Sequence, residues 1–300
     1  MRTPTRLHML GRLACLPALA LCALSAQAGT LTEAPVATAV CTPAPITREI
    51  VWEAGSHREI SGTFKMPAGT RLTIQAGATV LFRDGGLSVK GALVIAGKEE
   101  APVLLTTAYP VRGMADADIV RWEGISTYDE ATVRIDHANI LYAGKPDPYN
   151  RFSGAVNVSS DCGFEMNNTA LKYGQRGGVH FSSSQGGHSP VHRIIHSTIS
   201  HNTKGGLSVF GDYVHVEHSE IADNGTHAIW INLLKSYRGR RSRFNDNDIV
   251  GNGAYGIYLQ LEAGIPLTQQ PSGHRNNLVD NGEDGSAQID MYVQYGSIFH

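Results

Sequence analysis

Apolar and polar residues alternate with a period of two in short bursts along this chain. Val156-Asn-Val158, Val214-His-Val216, Ile229-Trp-Ile231 and Ile257-Tyr-Leu259 each bury every second residue when extended. The N-terminal half repeats the pattern in Leu72-Thr-Ile74, Leu87-Ser-Val89, Gly91-Ala-Leu93 and Ala131-Thr-Val133-Arg-Ile135, separated by glycines. Beyond residue 28 no stretch carries the 3.6-residue period of an amphipathic helix. The bursts are punctuated by a repeat: Ile199-Ser-His-Asn202, Ile221-Ala-Asp-Asn224, Ile249-Val-Gly-Asn252 and Leu278-Val-Asp-Asn281, with Asn-to-Asn spacings of 22, 28 and 29. Four residues after each Asn stands a small residue (Gly206, Ala228, Gly256, Gly285), followed in three copies by Leu207, Ile229 or Ile257. Short strands recurring at such a period, with Asn and Gly at the turns, predict a solenoid whose coils stack as parallel strands. Each coil adds about 4.8 Å and buries its interior only against its neighbours. The Asn column suits tight turns, and its amides can hydrogen-bond from coil to coil.

Composition narrows the class. Glycine accounts for 33 of 300 residues, charged residues for 17% and the formal net charge is -2. That excludes a charge-rich disordered chain, a heptad coiled coil and a basic nucleic-acid binder. Residues 1–28 carry Arg2, Arg6 and Arg12, an apolar run from Leu13 to Leu24 and Ala26-Gln27-Ala28, the anatomy of a secretory signal peptide cleaved near Ala28. The run is shorter than the ~20 residues a membrane helix needs. The expected product is exported, periplasmic or extracellular, without membrane insertion, and monomeric. Residues 29–48 read as an extended lead-in or cap, and 49–300 as one parallel β-helix domain of about eight to ten coils. Of the four cysteines, Cys41 and Cys162 remain after cleavage. They fall on distant coils, so two separate thiols are expected, a bridge requiring the lead-in to run along the body.

Met66-Pro-Ala-Gly-Thr-Arg-Leu-Thr-Ile74, Trp122-Glu-Gly-Ile125 and the Asn/Gly coils resemble the pectin-lyase-like, right-handed parallel β-helix superfamily, over roughly residues 50–295. The resemblance implies an all-β solenoid. It does not imply one activity, because lyases, hydrolases, epimerases, adhesins and binding proteins share the architecture. Ile135-Asp136-His137 matches a pectate lyase element, but the Arg-x-Pro-x-x-Arg element beside it is missing, and Asp147-Pro-Tyr-Asn150 departs from the mannuronan epimerase pattern at its last acid.

Alternation predicts which side chains face outward after each small residue. One column holds Asn157, His180, Ser208, Trp230 and Tyr258; a second holds Ser159, Ser182, Phe210, Asn232 and Gln260; a third holds Asp161, Asp212 and Glu262. Trp230, Tyr258 and Phe210, with Asn232, form an aromatic platform suited to sugar rings. The basic run Lys235, Arg238, Arg240, Arg241 and Arg243 suits carboxylates, making an acidic polysaccharide the expected partner. Asp212 and Glu262 stand two coils apart, near the upper end of the ~6.5–9.5 Å separation of inverting glycosidases. Arg238 is the basic candidate for a lyase. Three readings stay open: a polysaccharide-binding protein, a polysaccharide lyase or glycoside hydrolase, and a non-catalytic structural or adhesive envelope protein. His137, His196 and His218 share one repeat position with Asn167, Asp246 and Arg275, which reads as a variable turn more than a metal site. Asp246-Asn-Asp248 and Asp280 offer oxygen ligands for Ca2+. No cofactor is required.

Overall fold

The computed structural model describes residues 41–145, 154–160, 162–182, 191–233, 241–262, 270–282 and 291–296. All of them belong to one compact unit, Ala37–His300. Residues 1–28, read above as a signal peptide, most of the lead-in, Asp161, Lys235, Arg238 and Arg240 lie outside the described residues.

The alternating bursts become strands of three parallel sheets, each nine strands wide. The first sheet runs from Arg48–Trp52 to Ser272–His274, the second from His57–Ser61 to Asn277–Val279, and the third from Phe64–Met66 to Met291–Gly296. Successive strands visit the first, second and third sheet in turn, so every strand pairs with those one coil before and after it. The result is a β-helix of nine coils among the described residues, with one 3-10 turn at Asp116–Asp118.

The interior is a set of aliphatic ladders. On the first sheet Ile74, Ile95, Ile135, Met166, Ile194, Val216 and Phe244 stand in register. On the second sheet Val80, Leu105, Ile140, Leu171, Ile199, Ile221 and Ile249 do so. On the third sheet Leu87, Ile125, Val156, Val179, Leu207, Ile229 and Ile257 complete the core. All are buried, each contributing roughly 1.5–3 kcal/mol of transfer free energy.

The Asn column is a hydrogen-bonded ladder inside the turn between the second and third sheets. Asn202 donates its backbone N–H (3.1 Å) and Nδ2 (2.9 Å) to Asn224 Oδ1. Asn224 does the same to Asn252, and Asn252 to Asn281. The residue before each Asn is left-handed: His201, Asp223, Gly251 and Asp280 have φ of 53° to 67°. A second ladder lines the turn between the first and second sheets. There Thr169, Ser197, Ser219, Asn247 and Asn276 each accept a backbone N–H from the preceding coil. The residues before them, Asn168, His196, His218, Asp246 and Arg275, are again left-handed. The histidine position is thus explained by turn geometry, since His, Asn and Asp tolerate positive φ better than most residues. The coil to which Asn167 was aligned presents Asn168 there instead.

The expectation of two separate thiols is overturned: Cys41 and Cys162 are disulfide-bonded, with Cα atoms 5.1 Å apart. Cys162 precedes Phe164–Asn167, four strands along the first sheet from Arg48–Trp52, an axial distance of about 19 Å. Six residues separate Cys41 from Arg48, and the seven steps between their Cα atoms reach about 23 Å when extended. Residues 41–47 therefore run along the solenoid, nearly taut.

Candidate functional site

The outer face of the third sheet carries the two expected columns. Register places Asn157, His180, Ser208, Trp230 and Tyr258 on successive strands, and Ser182, Phe210, Asn232 and Gln260 beside them. Ser159 joins the second column through a 2.8 Å hydrogen bond between its Oγ and that of Ser182. Asn232 Nδ2 donates to Gln260 Oε1 at 3.4 Å. Phe210 meets the Trp230 ring edge-on at 4.9 Å between centroids, and Trp230 lies 5.9 Å from Tyr258. His227 stacks on Tyr258 at 4.9 Å and on Tyr255 at 5.2 Å. Trp230, Tyr258 and Phe210 are half-buried, so part of each ring reaches the surface.

Beside this platform is a cleft of about 300 Å³. The turn entering the third sheet creates it. Backbone hydrogen bonds align Gly177, Gly205, His227 and Tyr255 on successive coils, and likewise Arg176, Lys204, Thr226 and Ala254. Where the first two coils have glycine, no side chain of the described residues fills the space; His227 and Trp230 form the wall, and Arg176 and Lys204 the rim. A Cβ at Gly205 would stand 2.9 Å from the His227 carbonyl oxygen, so the turn is too close for a larger residue. Burial lowers the His227 pKa, so the imidazole on the cleft wall is neutral at pH 7; on the sheet beside it, burial brings that of His180 down to about 4.

The acids are placed differently from expectation. Asp212 does not face outward: it is 1% exposed, its Oδ2 2.9 Å from His192 Nε2 and its Oδ1 accepting the Tyr213 N–H. Alternation ends at Phe210, and the three-residue corner Gly211–Tyr213 turns the carboxylate into the core. Glu262 ends the strand Ile257–Glu262 and pairs in register with Gly296; its side chain lies outside the described residues. The proposed carboxylate pair is therefore not assembled on the groove. Arg238, Lys235 and Arg240 are beyond description, while Arg241 and Arg243 follow on the first sheet side.

Asp246 is engaged by the Arg275 guanidinium, which lowers its pKa, and Asp248 accepts a 3.2 Å hydrogen bond from Asn277. Among the described residues no group of three or more His, Cys, Asp or Glu side chains is placed to hold a metal ion. Sequence reading missed the Arg176–Lys204 rim and the glycine-floored cleft. The signal was the Gly177 and Gly205 pair, each following a cation.

No helix among the described residues is long and apolar enough to cross a membrane. No curated protein matches the chain. Among solved structures it is similar to a crystal structure of pectate lyase Pel9A, at 14% identity and a TM-score of 0.30, over 71% of this chain and 73% of that one. The family model described as a right-handed β-helix region matches residues 123–294, which span six of the nine coils and the whole aromatic face. The chain belongs to the right-handed β-helix family.

Proposed function

We propose that this protein is exported and binds an acidic polysaccharide along the outer face of its third sheet. One observation carries the reading: the half-buried Phe210, Trp230 and Tyr258 adjoin a cleft whose rim is Arg176 and Lys204. Aromatic faces take the C–H faces of pyranose rings, and a guanidinium and an ammonium on the same edge take the carboxylates. The ladder repeat of about 4.8 Å presents equivalent positions to successive units of a linear polymer. The leader-like first 28 residues and the Cys41–Cys162 bridge both suit an oxidising compartment outside the cytoplasm.

A second reading, turnover by β-elimination, is favoured by His227. A neutral imidazole on the cleft wall can accept a proton from the carbon beside a carboxylate; the C–H electrons form a C=C bond as the glycosidic C–O bond at the next carbon breaks, the departing oxygen takes a proton from solvent, and Arg176 and Lys204 can neutralise the carboxylate. The test is titration of the protein with polygalacturonate, alginate and neutral glucan, following Trp230 fluorescence and absorbance of unsaturated uronate. Saturable quenching by the uronates, lost in Trp230→Ala, is the expected result. Growth of the unsaturated product selects the second reading, and no response to any polymer overturns both.

A further inference from the structure

The column that carries Trp230 and Tyr258 holds, on the two coils before them, a histidine against a serine. His180 and Ser208 stand in register on adjacent strands of the third sheet, with Nδ1 of the imidazole 2.9 Å from Oγ of the serine. Ser208 is half-buried and lines the cleft whose rim is Arg176 and Lys204. His180 is 6% exposed, with its ring 5.3 Å from that of Phe210. Neighbouring polar positions are satisfied without an imidazole. Asn157, one coil before, folds its amide back on its own strand, accepting the Gly154 N–H at 2.7 Å and donating to the Gly154 carbonyl at 3.0 Å. In the second column Ser159 meets Ser182 hydroxyl to hydroxyl. Burial brings the His180 pKa down to about 4, a desolvation cost that a serine in its place would not carry. The imidazole is therefore unprotonated at neutral pH. With the ring proton on Nε2, Nδ1 accepts the Ser208 O–H, the arrangement that activates a serine for attack.

We infer that Ser208 and His180 form a nucleophile–base pair that hydrolyses short O-acyl esters carried by an acidic polysaccharide. The inference rests on the polysaccharide reading above and adds a chemistry to it, separate from β-elimination at His227. Ser208 Oγ adds to the acyl carbonyl carbon as its proton passes to His180 Nδ1, and the carbonyl π electrons move onto oxygen. The cations of the rim, Arg176 and Lys204, offset negative charge in the cleft. Collapse re-forms the carbonyl and breaks the ester C–O bond, and the sugar oxygen leaves with the proton from Nδ1. Water then adds to the acyl-serine and gives a proton to Nδ1, and Ser208 departs with that proton. Ester and water thus become acid and alcohol. Leu207, Trp230 and Ala254 supply apolar lining for the acyl group, and about 300 Å³ shared with a sugar ring admits only a short chain. The rim cations take a free carboxylate, so the acyl group sits on a sugar hydroxyl and not on the uronate carboxyl.

The full mature chain tests this with a fluorophosphonate probe, p-nitrophenyl acetate, and polygalacturonate with and without O-acetyl groups. Expected are an adduct on the Ser208 peptide by mass spectrometry, release of p-nitrophenolate, and release of acetate from the acetylated polymer. Ser208→Ala should abolish all three with an unchanged circular dichroism spectrum. His180→Gln should slow acylation about a hundredfold or more, and if that variant fails to fold, the wild-type pH profile decides. The labelling rate should rise through about pH 4 and level off by about pH 6. Arg176 and Lys204 stay charged over that range, and a rate still climbing above pH 7 overturns His180 as the base. No adduct at Ser208, or acetate release undiminished in Ser208→Ala, overturns the proposal. Trp230 quenching by the uronate polymer without any ester hydrolysis overturns it and leaves the binding reading standing. Hydrolysis of p-nitrophenyl acetate at Ser208 with no response to any polymer supports the pair and overturns the polysaccharide as its substrate.

Discussion

His192 Nε2 lies 2.9 Å from Asp212 Oδ2 in the solenoid core, both side chains at most 1% exposed. His192 stands at an inward register position where the adjacent coil has Val214, and its ring stacks on Phe181 at 4.8 Å. The pair joins the start of one first-sheet strand to the corner of the next coil. A polar tie thus replaces one rung of the aliphatic ladder, at the three-residue corner where the third sheet passes into the first.

Breaking that tie from one side should be costly. Asp212→Ala leaves a buried imidazole and the Tyr213 N–H without their acceptor, and an unfolding free energy lower by about 3–5 kcal/mol is expected. His192→Phe/Asp212→Leu removes both partners and should recover more than half of the loss. Urea midpoints of the three proteins measure this, and a silent Asp212→Ala would show that the carboxylate is not a structural tie.

The Cys41–Cys162 bridge closes a separation of 121 residues. Loop-closure entropy for such a loop gives about 2–5 kcal/mol of stabilisation. Cys41→Ser should therefore unfold at a lower urea concentration, by the same margin as the reduced wild type. Alkylation followed by mass measurement should label neither cysteine until reductant is added.

Much of this architecture is legible in the sequence because a solenoid repeats its physics. Ile199, Ile221, Ile249 and Leu278 announce an inner ladder, and the outward positions of Trp230 and Tyr258 follow from strict alternation. Asp212 misled for the same reason. Alternation holds only within the strand, and the carboxylate lies two residues past Phe210, in a corner whose direction depends on His192, 20 residues earlier. A histidine where neighbouring coils have Phe164 and Val214 was the available hint. The second ladder was also readable, in the pairs Asn168-Thr169, His196-Ser197, His218-Ser219, Asp246-Asn247 and Arg275-Asn276. The disulfide was not, since it depends on an axial path through the lead-in that no local pattern encodes.

The Asn ladder should be most sensitive in its middle. Asn252 Oδ1 accepts both the backbone N–H and the Nδ2 of Asn224, while its own Nδ2 donates to the Ile221 carbonyl at 2.9 Å and to Asn281. Asn252→Ala strands those buried groups, at about 1–3 kcal/mol for each one left unsatisfied. A total loss of about 2–5 kcal/mol is expected. Asn252→Asp retains the acceptor but loses the donors and buries a charge, so it should not rescue. Hydrogen exchange at the amides of Asn224 and Asn252 locates the effect, and unchanged protection in Asn252→Ala would count against the ladder.

Stability should fall on mild acidification, and His180 sets the window. Its side chain is buried, with Nδ1 2.9 Å from Ser208 Oγ, and burial depresses its pKa from 6.5 to about 4. Above pH 6.5 neither the folded nor the unfolded chain protonates this group, so its neutral form costs nothing. Between pH 6.5 and about 4 the unfolded chain takes up a proton that the folded chain refuses, and unfolding becomes easier by up to about 1.4 kcal/mol per pH unit. The full effect is about 3 kcal/mol by pH 4. His215 and His227 shift in the same direction and steepen the curve. His180→Gln keeps a polar group beside Ser208 without the titration, and its urea midpoint should depend on pH more weakly than that of the wild type by the slope of one histidine. Identical slopes in the two proteins would show that His180 is protonated equally in the folded and unfolded states.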